Sequence, residues 1–97
     1  LGLPVSFALD QNYPNPFNPV TTISFSMLES GMTDISIYDL SGRMVKTLLG
    51  KTLESGYHSI QFNASNLPSG MYFYSILVSG SDGQSLFSST RKMILMK

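Results

Sequence analysis

The sequence predicts an all-β fold: an Ig-like antiparallel β-sandwich of about seven short strands. Three observations carry this. Apolar and polar residues alternate with a period of two over several short segments. Turn clusters rich in Gly, Pro, Asn and Ser separate those segments every ten residues or so. No stretch shows the 3.6-residue periodicity of an amphipathic helix. The chain has no Cys and no Trp. It therefore lacks the disulfide and core Trp of true immunoglobulin domains, and the likeness to them is architectural only.

In chain order, Leu1 to Pro4 reads as the end of a linker, and Val5 to Leu9 as a short first strand with Phe7 and Leu9 on one face. Tyr13-Pro14-Asn15-Pro16-Phe17-Asn18-Pro19 follows. Each proline fixes its own φ, lacks an N–H donor and drives the residue before it out of the helical region. This stretch is neither helix nor central strand. It predicts a stiff corner, with Tyr13 and Phe17 as large anchors and Asn15 and Asn18 able to close local turns.

Thr21 to Met27 then alternates, with Ile23, Phe25 and Met27 on one face and Thr22, Ser24 and Ser26 on the other. Thr33 to Tyr38 alternates again, with Ile35 and Ile37 inward. Arg43 to Leu49 reads as a strand with Val45 among its buried residues, and Gly50 to Gly56 as a polar connection. Tyr57 to Asn63 places His58, Ile60 and Phe62 on one face. Asn66-Leu67-Pro68-Ser69-Gly70 is a turn cluster. Met71 to Val78 is apolar or aromatic on both faces, the mark of a central strand. Ser79 to Gly83 reads as a hairpin loop. Leu86 to Lys97 is the last strand, expected to bulge around Ser88-Ser89. Residues 1–6 are thus expected to be linker and residues 7–97 one domain.

With 97 residues, the chain is long enough for one domain with a core and too short for two. Six basic and six acidic residues cancel. No basic patch points to nucleic acid or an anionic membrane. The apolar run Met93-Ile94-Leu95-Met96 is far too short to span a bilayer. No signal peptide is visible, and the chain opens at Leu1 without an initiator Met, as a piece of a longer protein would.

Four motifs in order resemble one family. Ala8 to Ile23, with the proline corner at its centre, resembles the opening of the C-terminal sorting domains of the type IX secretion system, type A. Ile37 to Arg43 is similar to their mid-domain strand and turn, and Leu67 to Tyr74 to their Ser-Gly-x-Tyr strand. Lys92-Met93-Ile94-Leu95-Met96-Lys97 resembles their closing motif of a lysine, a few apolar residues and a terminal lysine. The resemblance runs from about Phe7 to Lys97. It implies a seven-stranded Ig-like sandwich with no catalytic role and no cofactor, at the end of a secreted Gram-negative protein. Such a domain directs its upstream cargo from the periplasm across the outer membrane through the type IX translocon. A sortase-like cysteine peptidase commonly removes it and can attach the cargo to the cell surface. The Ig-like domain of flagellar hook-capping proteins shares the corner and the Ser-Gly-x-Tyr strand.

Two stretches are candidate recognition surfaces: the corner (Tyr13, Pro14, Asn15, Pro16, Phe17, Asn18, Pro19) and the terminus (Lys92, Met93, Ile94, Leu95, Met96, Lys97). The corner also has a plain structural use, turning the chain between sheets and blunting an edge. The terminus is expected to be an edge strand with Met93 and Leu95 toward the core. It would follow a flexible Ser88-Ser89-Thr90 stretch and offer free backbone groups for strand addition. Its lysines equally suit an edge protected against aggregation.

His58, the only histidine, sits at an inward parity and is expected to be structural. Asp39 and the serines show no spacing that builds a Ser-His-Asp set. Asp10, Asn12, Asn15 and Asn18 carry oxygens of a kind that binds calcium, though turn hydrogen bonding explains them as well. Asn63-Ala64-Ser65 matches the glycosylation sequon and also reads as a turn. Two other functions compete with sorting. A carbohydrate-binding module would stack sugars on Tyr13, Tyr38, Tyr57, Tyr72 and Tyr74 and needs three of them exposed and coplanar. A structural or adhesion spacer would need none of these features.

Overall fold

A computed structural model of the chain describes residues 2–97, and its regular structure is entirely strand. The strands are β1 (Ala8–Leu9), β2 (Val20–Met27), β3 (Gly31–Tyr38), β4 (Met44–Leu53), β5 (Gly56–Asn63), β6 (Gly70–Ser79) and β7 (Ser85–Leu95). They form two antiparallel sheets, a three-stranded one in the order β1-β2-β5 and a four-stranded one in the order β4-β3-β6-β7. This is the expected Ig-like sandwich.

The alternating residues line the core between the sheets. Ile23, Phe25, Met27 and Phe62 come from the three-stranded sheet. Ile35, Ile37, Tyr72, Tyr74, Ile76, Val78, Met93 and Leu95 come from the other. The opposite parity of each strand faces outward, as a period of two requires. Strand β6 lies between β3 and β7, so its apolar outer face marks a central strand, although Leu77 on that face is exposed.

Four local expectations are corrected. The first strand is only Ala8–Leu9, because Val5 stands out in solvent and the chain joins the β2 ladder at Ala8. Gly50 to Leu53 is not a connection. It continues β4, pairing with Asp34 back to Gly31, and only Glu54 and Ser55 separate β4 from β5. Its polarity comes from its place at a sheet edge. Ser88, Ser89 and Thr90 are neither bulged nor flexible, since they pair regularly with Leu77, Ile76 and Ser75. The register shift lies at the start of β7, where Val78 faces Phe87 and Ser79 faces Ser85, leaving Leu86 as the extra residue.

Candidate recognition surface

The corner begins on a buried polar peg. Asn12 is 2% exposed, so each of its polar atoms needs a partner. Its Nδ2 donates to the Pro14 carbonyl at 3.1 Å and to Thr21 Oγ1 at 3.0 Å, and its Oδ1 accepts from Gln11 Nε2 at 2.7 Å. Thr21 Oγ1 in turn donates to the Pro14 carbonyl at 2.8 Å. The first proline bend is thereby closed on itself. Tyr74, fully buried on the facing sheet, fixes this peg to the core. Its hydroxyl donates to the Asp10 carbonyl at 2.6 Å and accepts from the Asn12 N–H at 2.8 Å. Burial pushes the Tyr74 phenol up from its ordinary 10.0.

From this anchor the corner crosses to the far end of the chain. Phe17 is 2% exposed and packs its ring against Phe62, centroids 6.1 Å apart. Its N–H donates to the Ile94 carbonyl and its carbonyl accepts from the Met96 N–H, each at 3.0 Å. Asn15 Oδ1 accepts from the Ile94 N–H at 2.9 Å, and Gln11 Nε2 reaches the Lys92 carbonyl at 2.7 Å. These bonds show that Lys92, Ile94 and Met96 are the alternate residues whose backbone groups point away from β6. Arg91 Nε also donates to the Leu9 carbonyl. Lys97 is tied down as well: its N–H donates to Ser69 Oγ at 3.0 Å and its Nζ to the Ser65 carbonyl at 2.6 Å.

The terminus was expected to offer a free edge. In the structure the corner occupies that edge from Lys92 to Met96, and β7 cannot take another strand there without displacing it. The two candidate stretches thus form one composite surface. Tyr13, Pro14, Asn15, Pro16, Asn18, Lys92, Ile94, Met96 and Lys97 are exposed and Pro19 is half-buried, while Phe17, Met93 and Leu95 are buried and hold the frame. Tyr13 is set apart: it pairs with Thr22 at the β1 side of β2 and does not join the terminus. Sequence reasoning gave Asn12 a turn hydrogen bond, which it makes to Pro14, but missed Gln11 and Tyr74 as parts that fix the corner. The usable signal was the phenol of Tyr74, since a Tyr at the core parity of a central strand must find a hydrogen-bond partner.

The other candidates find local uses. His58 stacks on Phe25 at 5.4 Å and its Nε2 donates to the Glu54 carbonyl at 2.8 Å. The amide oxygens of Asn12 and Asn15 accept the bonds given above. Asn63 Oδ1 accepts from the Ser65 N–H and hydroxyl, which closes a turn at the sequon. Asp39 collects bonds from the Ser41 hydroxyl and from the Ser41 and Arg43 N–H groups, and pairs with the Arg43 side chain at 3.2 Å. The Ser41 bond above all holds its carboxyl below the ordinary range. This braces the tight β3–β4 turn, where Gly42 takes φ +88°, a conformation costly for any residue with a Cβ. Tyr72 and Tyr74 are buried and Tyr38 is half-buried, leaving Tyr13 and Tyr57 as the broadly exposed tyrosines.

Residues 11–95 match the family model described as the secretion system C-terminal sorting domain. The chain belongs to this family. Sorting domains of the type IX secretion system are in general non-catalytic, engage the secretion machinery, and mark a secreted or cell-surface protein. No curated protein matches the chain. Among solved structures it is similar to the crystal structure of CopC from Methylosinus trichosporium OB3b, with 18% identity, a TM-score of 0.52 and 93% of each chain covered. At that identity the likeness is one of fold. Among the described residues no helix is long and apolar enough to cross a membrane.

Proposed function

We propose that this domain, residues 7–97, directs export of an upstream cargo from the periplasm across the outer membrane through the type IX translocon. A sortase-like cysteine peptidase then removes it, and the cargo is released or attached to the surface. The family match over residues 11–95 is the observation that carries this reading. The composite of corner and terminus supports a more specific one. The translocon reads a folded surface made of Asn15, Pro16, Asn18, Lys92, Ile94, Met96 and Lys97, and it does so while the C-terminal strand stays in the sheet. The domain itself catalyses nothing, and a reproducible hydrolase activity lost in His58→Ala would refute that.

The test fuses the chain to a periplasmic reporter in a bacterium that has the type IX machine. The intact fusion is expected at the cell surface or in the medium. Removal of Lys92–Lys97 is expected to strand it in the periplasm. That deletion also takes Met93 and Leu95 out of the core, so Lys97→Glu and Ile94→Thr, which alter exposed side chains, serve as folded controls. Lys97→Glu is expected to reduce export less severely than the deletion. Normal surface levels of the truncated fusion would replace the sorting reading with that of a spacer. A carbohydrate-binding role gains nothing from two separated exposed tyrosines.

A further inference from the structure

The two sheets differ in width, and the narrower one ends at β5. At the other flank β1 lies against β7. Strand β4 therefore overhangs the three-stranded sheet at this flank, and none of its ten residues is fully buried. Between β4 and β5 lies a cleft of about 280 Å³, walled by Leu49, Leu53 and Lys51 on one side and by Ile60 and His58 on the other.

The backbone of β5 is open along this cleft. Thr22 exchanges both its backbone bonds with Tyr13, and the Ser24 carbonyl accepts from Asp10. The intervening Ile23 and Phe25 therefore face β5, opposite Ile60 and His58. In an antiparallel ladder the alternate residues Tyr57, Ser59 and Gln61 then direct their N–H and C=O groups outward. Gly56–Asn63 pairs with β2 without a register shift and contains no Lys, Arg, Asp, Glu or Pro. It has none of the usual edge defences. Strand β4 does: Lys46 and Lys51 sit at its inward parity, and two register shifts twist it. Lys46 Nζ lies 5.9 Å from the centre of the Phe62 ring, and among the described residues neither lysine is in an ion pair.

We propose that this flank accepts an extended segment of another protein, which adds to β5 as the fourth strand of the narrow sheet. Its alternate side chains enter the cleft over Leu49, Leu53 and Ile60, and a carboxylate among them pairs with Lys46 or Lys51. The geometry stands whether or not the domain is a sorting signal. A second copy of this chain is the poorer occupant. Pairing β5 with β5 would bring two overhanging β4 strands together, each with the same two lysines.

Random dodecapeptides displayed on phage, selected against the 97-residue chain, test this. The expected consensus has apolar residues at alternate positions with Asp or Glu at one position of the same parity. Ser59→Pro removes only an outward N–H, which an edge strand tolerates. It should weaken a selected synthetic peptide about tenfold, the weight of one main-chain bond. Should that variant fail to fold, Lys46→Glu with Lys51→Glu gives the second measurement and should turn the selected acid into a base. The proposal is overturned by no enrichment, by a consensus without alternation, by affinity indifferent to these changes, or by a β5-dependent homodimer in sedimentation.

Discussion

The two flanks of the sandwich solve the same problem in opposite ways. Each brings two sheet edges side by side. At the β1/β7 flank the last part of the β7 edge is closed by Gln11, Asn15 and Phe17, which take up the Lys92 carbonyl, both backbone groups of Ile94 and the Met96 N–H. At the β4/β5 flank nothing among the described residues does this for β5, and the protection falls to lysines and bulges on β4. Exposed polar backbone is cheap in water, so either arrangement is stable. The difference lies in what each flank can bind. The closed flank presents side chains on a fixed frame, and the open one presents backbone. The corner was expected to turn the chain between sheets, but it joins β1 and β2 of one sheet and acts instead as a clasp for the C-terminal strand of the other.

The sharpest contrast should come from core truncations on the two sides. Phe17→Ala removes a fully buried ring that seats the clasp and should cost about 3–5 kcal/mol, as should Phe25→Ala and Phe62→Ala. Ile60→Ala, half-buried at the open flank, should cost well under half of that. Chemical denaturation measures both. Equal losses would mean that the flanks are equally packed.

Tyr74→Phe tests the anchor beneath the clasp. It leaves the buried Asn12 N–H without a partner and should cost about 1–3 kcal/mol. It also has a pH signature. Burial raises the Tyr74 phenol, and burial foremost raises that of Tyr72, above the 10.0 that both have when unfolded. A folded value above the unfolded one gives a contribution that is complete below pH 10 and is lost as pH rises through the folded value. The melting temperature should therefore fall above pH 10, and less steeply in Tyr74→Phe. A smaller effect belongs to Asn15→Ala, which frees the Ile94 N–H at an exposed site and should cost about 0.5–1.5 kcal/mol. A comparable loss for Ser59→Ala on the open flank would erase the distinction.

Much of this is legible in the sequence alone. Ile23/Phe25/Met27, Ile35/Ile37 and Ile60/Phe62 each declare one buried face, because a half-buried strand imposes a period of two on its side chains. The second half of β4 was not legible. An edge strand over an open cleft needs no alternation, so Gly50-Lys51-Thr52 looks like loop. The corner was visible as a rigid bend, since proline acts on its own neighbours. Its partner was not, because Asn15 and Ile94 meet across 79 positions and leave no local trace. The apolar terminus read as a free edge for the same reason. Nothing within Lys92–Lys97 reveals that another segment already holds its outward groups.

Amide hydrogen exchange on the native chain, read residue by residue, tests the contrast most directly. The N–H groups of Phe17, Ile94 and Met96 should exchange slowly, within range of the β6 interior, while those of Tyr57, Ser59 and Gln61 exchange at the rate of open strand. Rapid exchange at Ile94 and Met96, matching Ser59, would show that the corner does not hold the C-terminal strand and would contradict the account.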